Sequence, residues 1–239
     1  MSGGRDRVIA MIPARGGSKS IPDKNLVSLG GKPLLAWSID IAKATPAIDR
    51  VIVSTDDPKI AAAAEKRSAE VYRRPDRLAT DDALVIDAVR DVIGRLREEG
   101  ETAQIMVLLE PTCPFRAVED IEACIDEVRA GRDSAATFTA ADVNPHRTWR
   151  LTGEGPEPFV KGAVPWRPRQ ELEDAYQLNG AVYAFRLDAL SPDDVGLLVG
   201  RTAAVVMPAE RSVDIDEPLD LAVARSQLRE REQEGEPIE

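Results

Sequence analysis

Residues 105–109 read IMVLL, five apolar positions in a row without a polar face. A strand of that kind must be covered on both sides, the condition of an interior strand in a parallel sheet flanked by helices. The remaining pattern fits around it. Residues 8–12, 51–54, 70–72, 135–139, 180–185 and 203–207 read as strands, and residues 34–44, 58–67, 82–97, 118–128 and 219–228 as helices. In the 82–97 segment Val85, Ile86, Val89, Val92, Ile93 and Leu96 fall on one face. This alternation predicts an α/β fold with a mainly parallel central sheet. It breaks from Asp142 to Tyr176 into a stretch rich in proline, arginine and tryptophan, read as an excursion from the core. The charged tail from Arg229 is expected to fray.

With 239 residues the chain suits one such domain, 1–239, carrying a small appendage. Two cysteines, Cys113 and Cys124, exclude a disulfide framework and a four-cysteine zinc site. A single histidine, His146, leaves acyl-transfer chemistry almost no base. Nothing at the N-terminus resembles an apolar signal region and no stretch is membrane-length, so a cytoplasmic protein without membrane partners is expected. A net charge of −11 argues against nucleic-acid binding and makes any local basic cluster conspicuous.

Such a cluster follows the first strand. Ala14, Arg15, Gly16, Gly17, Ser18 and Lys19 lead on to Lys24 and Asn25. Glycines let the backbone turn N–H groups toward anionic oxygens, while Arg15, Lys19 and Lys24 supply the charge a triphosphate requires. The spacing matches neither a P-loop nor a dinucleotide fingerprint. In open parallel sheets ligands bind beyond the carboxyl ends of the strands, where this loop lies. From these residues alone a solvated basic loop is an equal alternative.

The run 12–19, with Lys24-Asn25-Leu26 and Gly30-Gly31-Lys32-Pro33-Leu34 behind it, resembles the acylneuraminate cytidylyltransferases, the CMP-sialic acid synthetases. The resemblance extends through later segments over most of the chain. It implies a Rossmann-like nucleotidyltransferase fold with a small dimerisation arm, at 142–178, and transfer of CMP from CTP to the anomeric hydroxyl of a nonulosonic acid with release of pyrophosphate. It also implies Mg²⁺ and a homodimer. By resemblance Ala14, Arg15, Gly16, Gly17, Ser18, Lys19, Lys24 and Asn25 would hold the nucleotide. Lys19 or Lys24 would offset charge at the α-phosphate, with Arg15, Lys19, Lys24 and Asp216 as the catalytic set.

In Arg73-Arg74-Pro75 through Asp81, Arg74 matches the family's cytosine-contacting arginine; Asp81 is a nucleotide residue or, with Thr80, a cap for the next helix. Leu109-Glu110-Pro111-Thr112-Cys113-Pro114-Phe115-Arg116 resembles a family segment that has Gln and Ser where this chain has Glu110 and Cys113. Glu110 and Thr112 are thus sugar-site candidates, and Glu110 puts a negative charge beside an acidic substrate. Cys113 is a small filler or a reactive thiol. In the arm, Arg169 would face the sugar carboxylate, with Gln170 beside it. Arg147 would reach a partner's cleft, and Asn179 would contact sugar or base.

Asp214 and Asp216, in Val213-Asp214-Ile215-Asp216-Glu217-Pro218, share one face if extended, which suits Mg²⁺; Asp216 as a helix cap is the alternative. The resemblance selects metal. Three rivals remain at this stage: a relative of the same fold using another base or acidic sugar, an Asp-x-Asp glycosyltransferase, and a nucleotide sensor without turnover.

Overall fold

The structure, a computed structural model, describes residues 6–234. Its chain order is β1 (Val8–Pro13), β2 (Ser28–Leu29), β3 (Lys32–Pro33), α1 (Leu34–Ala44), β4 (Arg50–Thr55), α2 (Pro58–Glu65), β5 (Glu70–Arg73), α3 (Val85–Glu98), β6 (Ile105–Leu108), α4 (Val118–Arg129), β7 (Ser134–Ala140), β8 (Trp149–Thr152), β9 (Gly155–Pro158), β10 (Tyr176–Arg186), β11 (Thr202–Val206) and α5 (Pro218–Glu234).

Seven strands form one sheet in the order β11-β7-β10-β6-β1-β4-β5. β1 pairs in parallel with β4 and β6, β4 with β5, and β7 with β11. β10 runs antiparallel to both β6 and β7. The mainly parallel sheet expected from sequence is therefore present with one reversed strand near its middle. The side chains Ala181, Val182, Ala184 and Phe185 are fully buried, so their pattern is the same for either direction.

Alternation along β1 divides the core. Val8, Ala10 and Ile12 meet Leu35, Ile39, Ile60, Ile121 and Ile125 of α1, α2 and α4. Ile9 and Met11 face the other way, toward Ile86, Val89, Val92, Ile93 and Leu96 of α3. Burying each of those α3 side chains stabilises by roughly 2 kcal/mol, and a charge at Val89 would break the layer. A third cluster joins Ile21, Leu29, Leu34, Trp37 and Phe115 to Ile215, Leu221 and Leu228. It packs α5 over the hairpin of β2 and β3, so closely that a Cβ on Gly30 (φ 59°) would lie 2.6 Å from Leu228 Cδ2.

Four boundaries differ most from expectation: β10 begins at Tyr176 and not at residue 180, taking in the last residues of the stretch expected to be the arm. α3 begins at Val85, not residue 82; α2 stops at Glu65; and the tail continues α5 to Glu234 instead of fraying at Arg229, the last residues lying outside the described range. Among the described residues no helix is long and apolar enough to cross a membrane.

Candidate active site

The loop after β1 is held from beneath. Ala14 is buried and its N–H donates to the Ser54 carbonyl (3.0 Å), extending the strand pairing. Gly16 N–H donates to Asp56 Oδ1 (2.9 Å), and a Cβ there would crowd Asp57 at 3.1 Å. Gly17 adopts φ 70°, a conformation that favours glycine. Asn25 is buried and its amide donates to the Arg15 carbonyl (2.9 Å), closing the loop on itself. Ser18 is half-buried within it.

Each cradle cation has a carboxylate partner. Arg15 Nη1 donates to Asp81 Oδ1 (2.8 Å), Lys19 pairs with the other oxygen of Asp81, and Lys24 Nζ donates to Asp216 Oδ1 (2.9 Å). Lys19 first and then Arg15 hold the Asp81 carboxyl below its usual range. Asp81 is therefore no helix cap: α3 is preceded by Leu84, which makes no side-chain cap. Arg74 is 7% exposed and lies under the cleft floor, donating from Nε to Ser54 Oγ (3.2 Å) and from Nη2 to Ser54 O (2.9 Å). Burial lowers its pKa, and its Nη1 makes no hydrogen bond among the described residues.

Opposite the cradle, Ile215 is fully buried and its N–H donates to the Thr112 carbonyl (2.9 Å), while Asp214 and Asp216 on either side are exposed. The two aspartates thus share the outward face. Asp216 is not the cap of α5, because the Asp220 carboxylate accepts from the N–H groups of Asp216 (3.0 Å) and Glu217 (2.7 Å). Asp214 is raised by desolvation against the cleft wall and by Asp216, with a Thr112 hydrogen bond opposing the shift.

Gly180 (φ 72°) is the pivot of this wall. A Cβ there would lie 3.3 Å from Cys113 Sγ, 3.8 Å from Glu110 Oε2 and 3.9 Å from Asp214 Oδ2, so the two carboxylates flank one point. Burial, reinforced by Asp214, pushes Glu110 up to about 7. Its formal negative charge is therefore only partly present at neutral pH. Cys113 is fully buried, donates to the Asn179 carbonyl (3.1 Å), and burial pushes its thiol well above the ordinary range; it is a filler and not a nucleophile.

The arm residues lie elsewhere. Arg147 and Arg169 line a groove of about 310 Å³ with Asn144 and Glu173, and Arg147 Nη2 donates to the Arg167 carbonyl (2.8 Å). Gln170 is exposed outside that groove. Asn179 is a correction: its side chain is buried, with Oδ1 accepting from Thr137 Oγ1 (2.7 Å) and Nδ2 donating to Ser212 Oγ (3.0 Å). It braces β10 against β7. Asp56 and Asp57, absent from the sequence-derived set, are structural keys. The first anchors the cradle, and the second caps α2 by accepting from Lys59 N (2.6 Å). An Asp before a Pro at the end of a parallel strand is the signal that marks the cap.

A basic glycine loop facing paired aspartates across the carboxyl edge of an α/β sheet is the construction of a nucleotidyltransferase. Comparison with known proteins agrees. The cytidylyltransferase family model matches residues 9–190. A CMP-N,N'-diacetyllegionaminic acid synthase of Legionella pneumophila is 30% identical over 96% of this chain and 99% of its own. An N-acylneuraminate cytidylyltransferase of Streptococcus agalactiae is 31% identical over 87% of this chain, which spans about half of that longer protein. Among solved structures, a CMP:2-keto-3-deoxy-manno-octonic acid synthetase complexed with CTP superposes with a TM-score of 0.68 at 20% identity, covering 94% of this chain and 99% of that one, a likeness of fold. The chain belongs to the cytidylyltransferase family.

Proposed function

We propose that this enzyme transfers CMP from CTP to the anomeric hydroxyl of a nonulosonic, sialic-type acid and releases pyrophosphate. The observation that carries the reading is the Lys24–Asp216 contact of 2.9 Å, which brings the anion cradle and the paired aspartates to one cleft edge. The named relatives that activate legionaminic and neuraminic acids support the sugar class.

In this mechanism Arg15 and Lys19 exchange Asp81 for the triphosphate, and Gly16 and Gly17 let it approach the backbone. Lys24 leaves Asp216 to meet charge developing at the α-phosphate, where electrostatic stabilisation is the main catalytic contribution. Glu110 and Thr112, on the wall beside Asp214, orient the sugar acid; a partly protonated Glu110 tolerates a second carboxylate. Mutual repulsion between Asp214 and Asp216 fits these residues to a divalent cation. Among the described residues no cluster of three or more ligating side chains exists, so substrate and water would complete the shell, as suits Mg²⁺. When held there, Mg²⁺ supplies Lewis-acid stabilisation of the phosphate oxygens and acidifies the attacking hydroxyl.

The arm supports a homodimer. Leu151 and Trp166 are each 83% exposed, with Phe159 and Val143 also largely open, an apolar surface that a second copy would cover. Arg147 and Arg169 then belong to a sugar-facing groove beside that interface. The use of CTP is compatible with the cytoplasmic location expected from the sequence.

The test is pyrophosphate release with CTP, Mg²⁺ and a panel of nine-carbon and eight-carbon sugar acids. Release that depends on one nine-carbon acid establishes the reading and names the substrate. Silence with CTP throughout, and release with another nucleotide, overturns it.

A further inference from the structure

One acidic group of the cleft wall has no counterpart in the protein. Glu110 follows β6 at its carboxyl end and is partly exposed, and its carboxylate takes part in no hydrogen bond or ion pair among the described residues. The two cations that act on it are engaged elsewhere. Arg116 donates from Nη1 to Ser38 Oγ (2.8 Å) and from Nη2 to the backbone carbonyl of Glu110, while Lys24 pairs with Asp216 (2.9 Å). A carboxylate partly withdrawn from water without a donor is unfavourable, and such a group calls for a ligand.

Gly180 leaves the room for one. A Cβ there would stand 3.8 Å from Glu110 Oε2 and 3.9 Å from Asp214 Oδ2, so two carboxylate oxygens lie within ion-pairing reach of one point. Glu110 and Gly180 are partly exposed and Asp214 is exposed, so the point opens on the cleft. Cys113, which bounds it at 3.3 Å, is buried and donates to the Asn179 carbonyl, and therefore supplies neither a charge nor a free donor.

Charge decides what fits. Glu110, Asp214 and Asp216 bring three carboxylates to the wall, and the divalent cation proposed for the two aspartates offsets two of them. Lys24 moves to the α-phosphate in that mechanism, so Glu110 is left without a cation. A sugar hydroxyl or an N-acyl group offers it only a neutral donor, and hydrogen bonds from a charged donor are roughly twice as strong.

We propose that the acceptor is a nonulosonic acid carrying a free amine, whose ammonium donates to Glu110 Oε2 beside Gly180. The inference rests on the function proposed above and narrows its substrate class. An ammonium at that point favours the ionised carboxylate and lies within reach of Asp214 Oδ2 as well. Glu110 is then a specificity residue, and the amine is what it selects.

The test compares kcat/KM for pyrophosphate release, with CTP and saturating Mg²⁺ at neutral pH, between N-acetylneuraminate and a panel of amine-bearing acids: its analogues with an amine in place of the C7 or the C9 hydroxyl, and N-glycylneuraminate. At least one amine-bearing acid should exceed N-acetylneuraminate by about tenfold or more, and Glu110→Gln, which keeps the shape and removes the charge, should abolish that advantage. Calorimetric binding of the same acids to the Mg²⁺-loaded full chain should show the same ratio and the same loss. Turnover without preference for an amine, or a preference that survives Glu110→Gln, overturns the inference and leaves the proposed function standing. A Mg²⁺ requirement raised equally for every acid by Glu110→Gln overturns it too, since Glu110 would then serve the metal. Absence of pyrophosphate with every acid defeats the proposed function instead, and the binding ratio still decides whether Glu110 selects an amine.

Discussion

Two long excursions leave the sheet, and they resolve their exposed chemistry in different ways. Residues 14–27, after β1, are pinned at several points. Gly16 is bonded to Asp56, Asn25 to the Arg15 carbonyl, Ile21 enters the third core cluster, and Lys24 meets Asp216. The arm, from residue 142 to β10, is tied at its neck, where Ala141 N–H donates to Ala175 O (2.8 Å) and Asn144 Nδ2 to Glu173 O (2.8 Å). Beyond the neck, β8 and β9 pair only with each other, and Trp149 packs on Trp166 at 5.8 Å while Leu151 and Trp166 stay open. The first excursion finds its partners within the chain; the second presents an open apolar surface, the one a second copy covers in the homodimer proposed above. A loop built to meet a small anion must be preorganised by its own fold, whereas an arm can be ordered by association.

The sharpest break of that contrast is Asp216→Ala. It removes the cradle's counterpart and one of the two proposed Mg²⁺ ligands, and pyrophosphate release should fall at least 100-fold, while sedimentation should show the proposed dimer unchanged. A comparable loss of association would mean that the two regions are not separable. Next, Trp166→Asp with Leu151→Asp should weaken self-association by at least tenfold, read by sedimentation equilibrium. A monomer in the unmodified protein, or a dimer indifferent to both changes, removes the arm's assigned role. The finest distinction is in pH dependence.

Burial raises Glu110 to about 7, so the folded state keeps a proton that the unfolded carboxyl releases at its ordinary, lower pKa. Stability from this group is present at low pH and is lost as pH rises through 7. In metal-free buffer Glu110→Gln should stabilise by on the order of 1–2 kcal/mol at pH 8 and by progressively less toward pH 5, measured by urea unfolding. A constant offset across that range would show that the cleft wall carries no such proton.

What the sequence made legible follows the same division. Period and composition suffice where a side chain's burial is repeated along an element, as on the α3 face and in residues 105–109. They could not show that β10 is reversed, because a strand buried on both faces has no orientation in its pattern. The small β8–β9 hairpin also escaped, since Gly155, Pro156 and Pro158 occupy it and its side chains are mostly exposed. At the site, glycines and cations located the cradle, and the spacing of Asp214 and Asp216 around Ile215 placed both on one face. Asn179 is a sugar-or-base candidate by resemblance alone; that four neighbouring groups satisfy its side chain internally is a property of packing. The buried, unpartnered Nε of Arg116 is a property of packing that no linear pattern carries.

The Lys24–Asp216 contact spans 192 positions of sequence. During synthesis the sheet's early strands can pair while the aspartates are still unmade, so the cleft is among the last features to close. A ribosome that stalls within α5 would release a chain with its sheet essentially assembled yet lacking the helix that seats on Gly30 and fixes Ile215. For this enzyme, competence to handle a nucleotide thus waits on the synthesis of residues 214–228, long after the first strands of the sheet have been made.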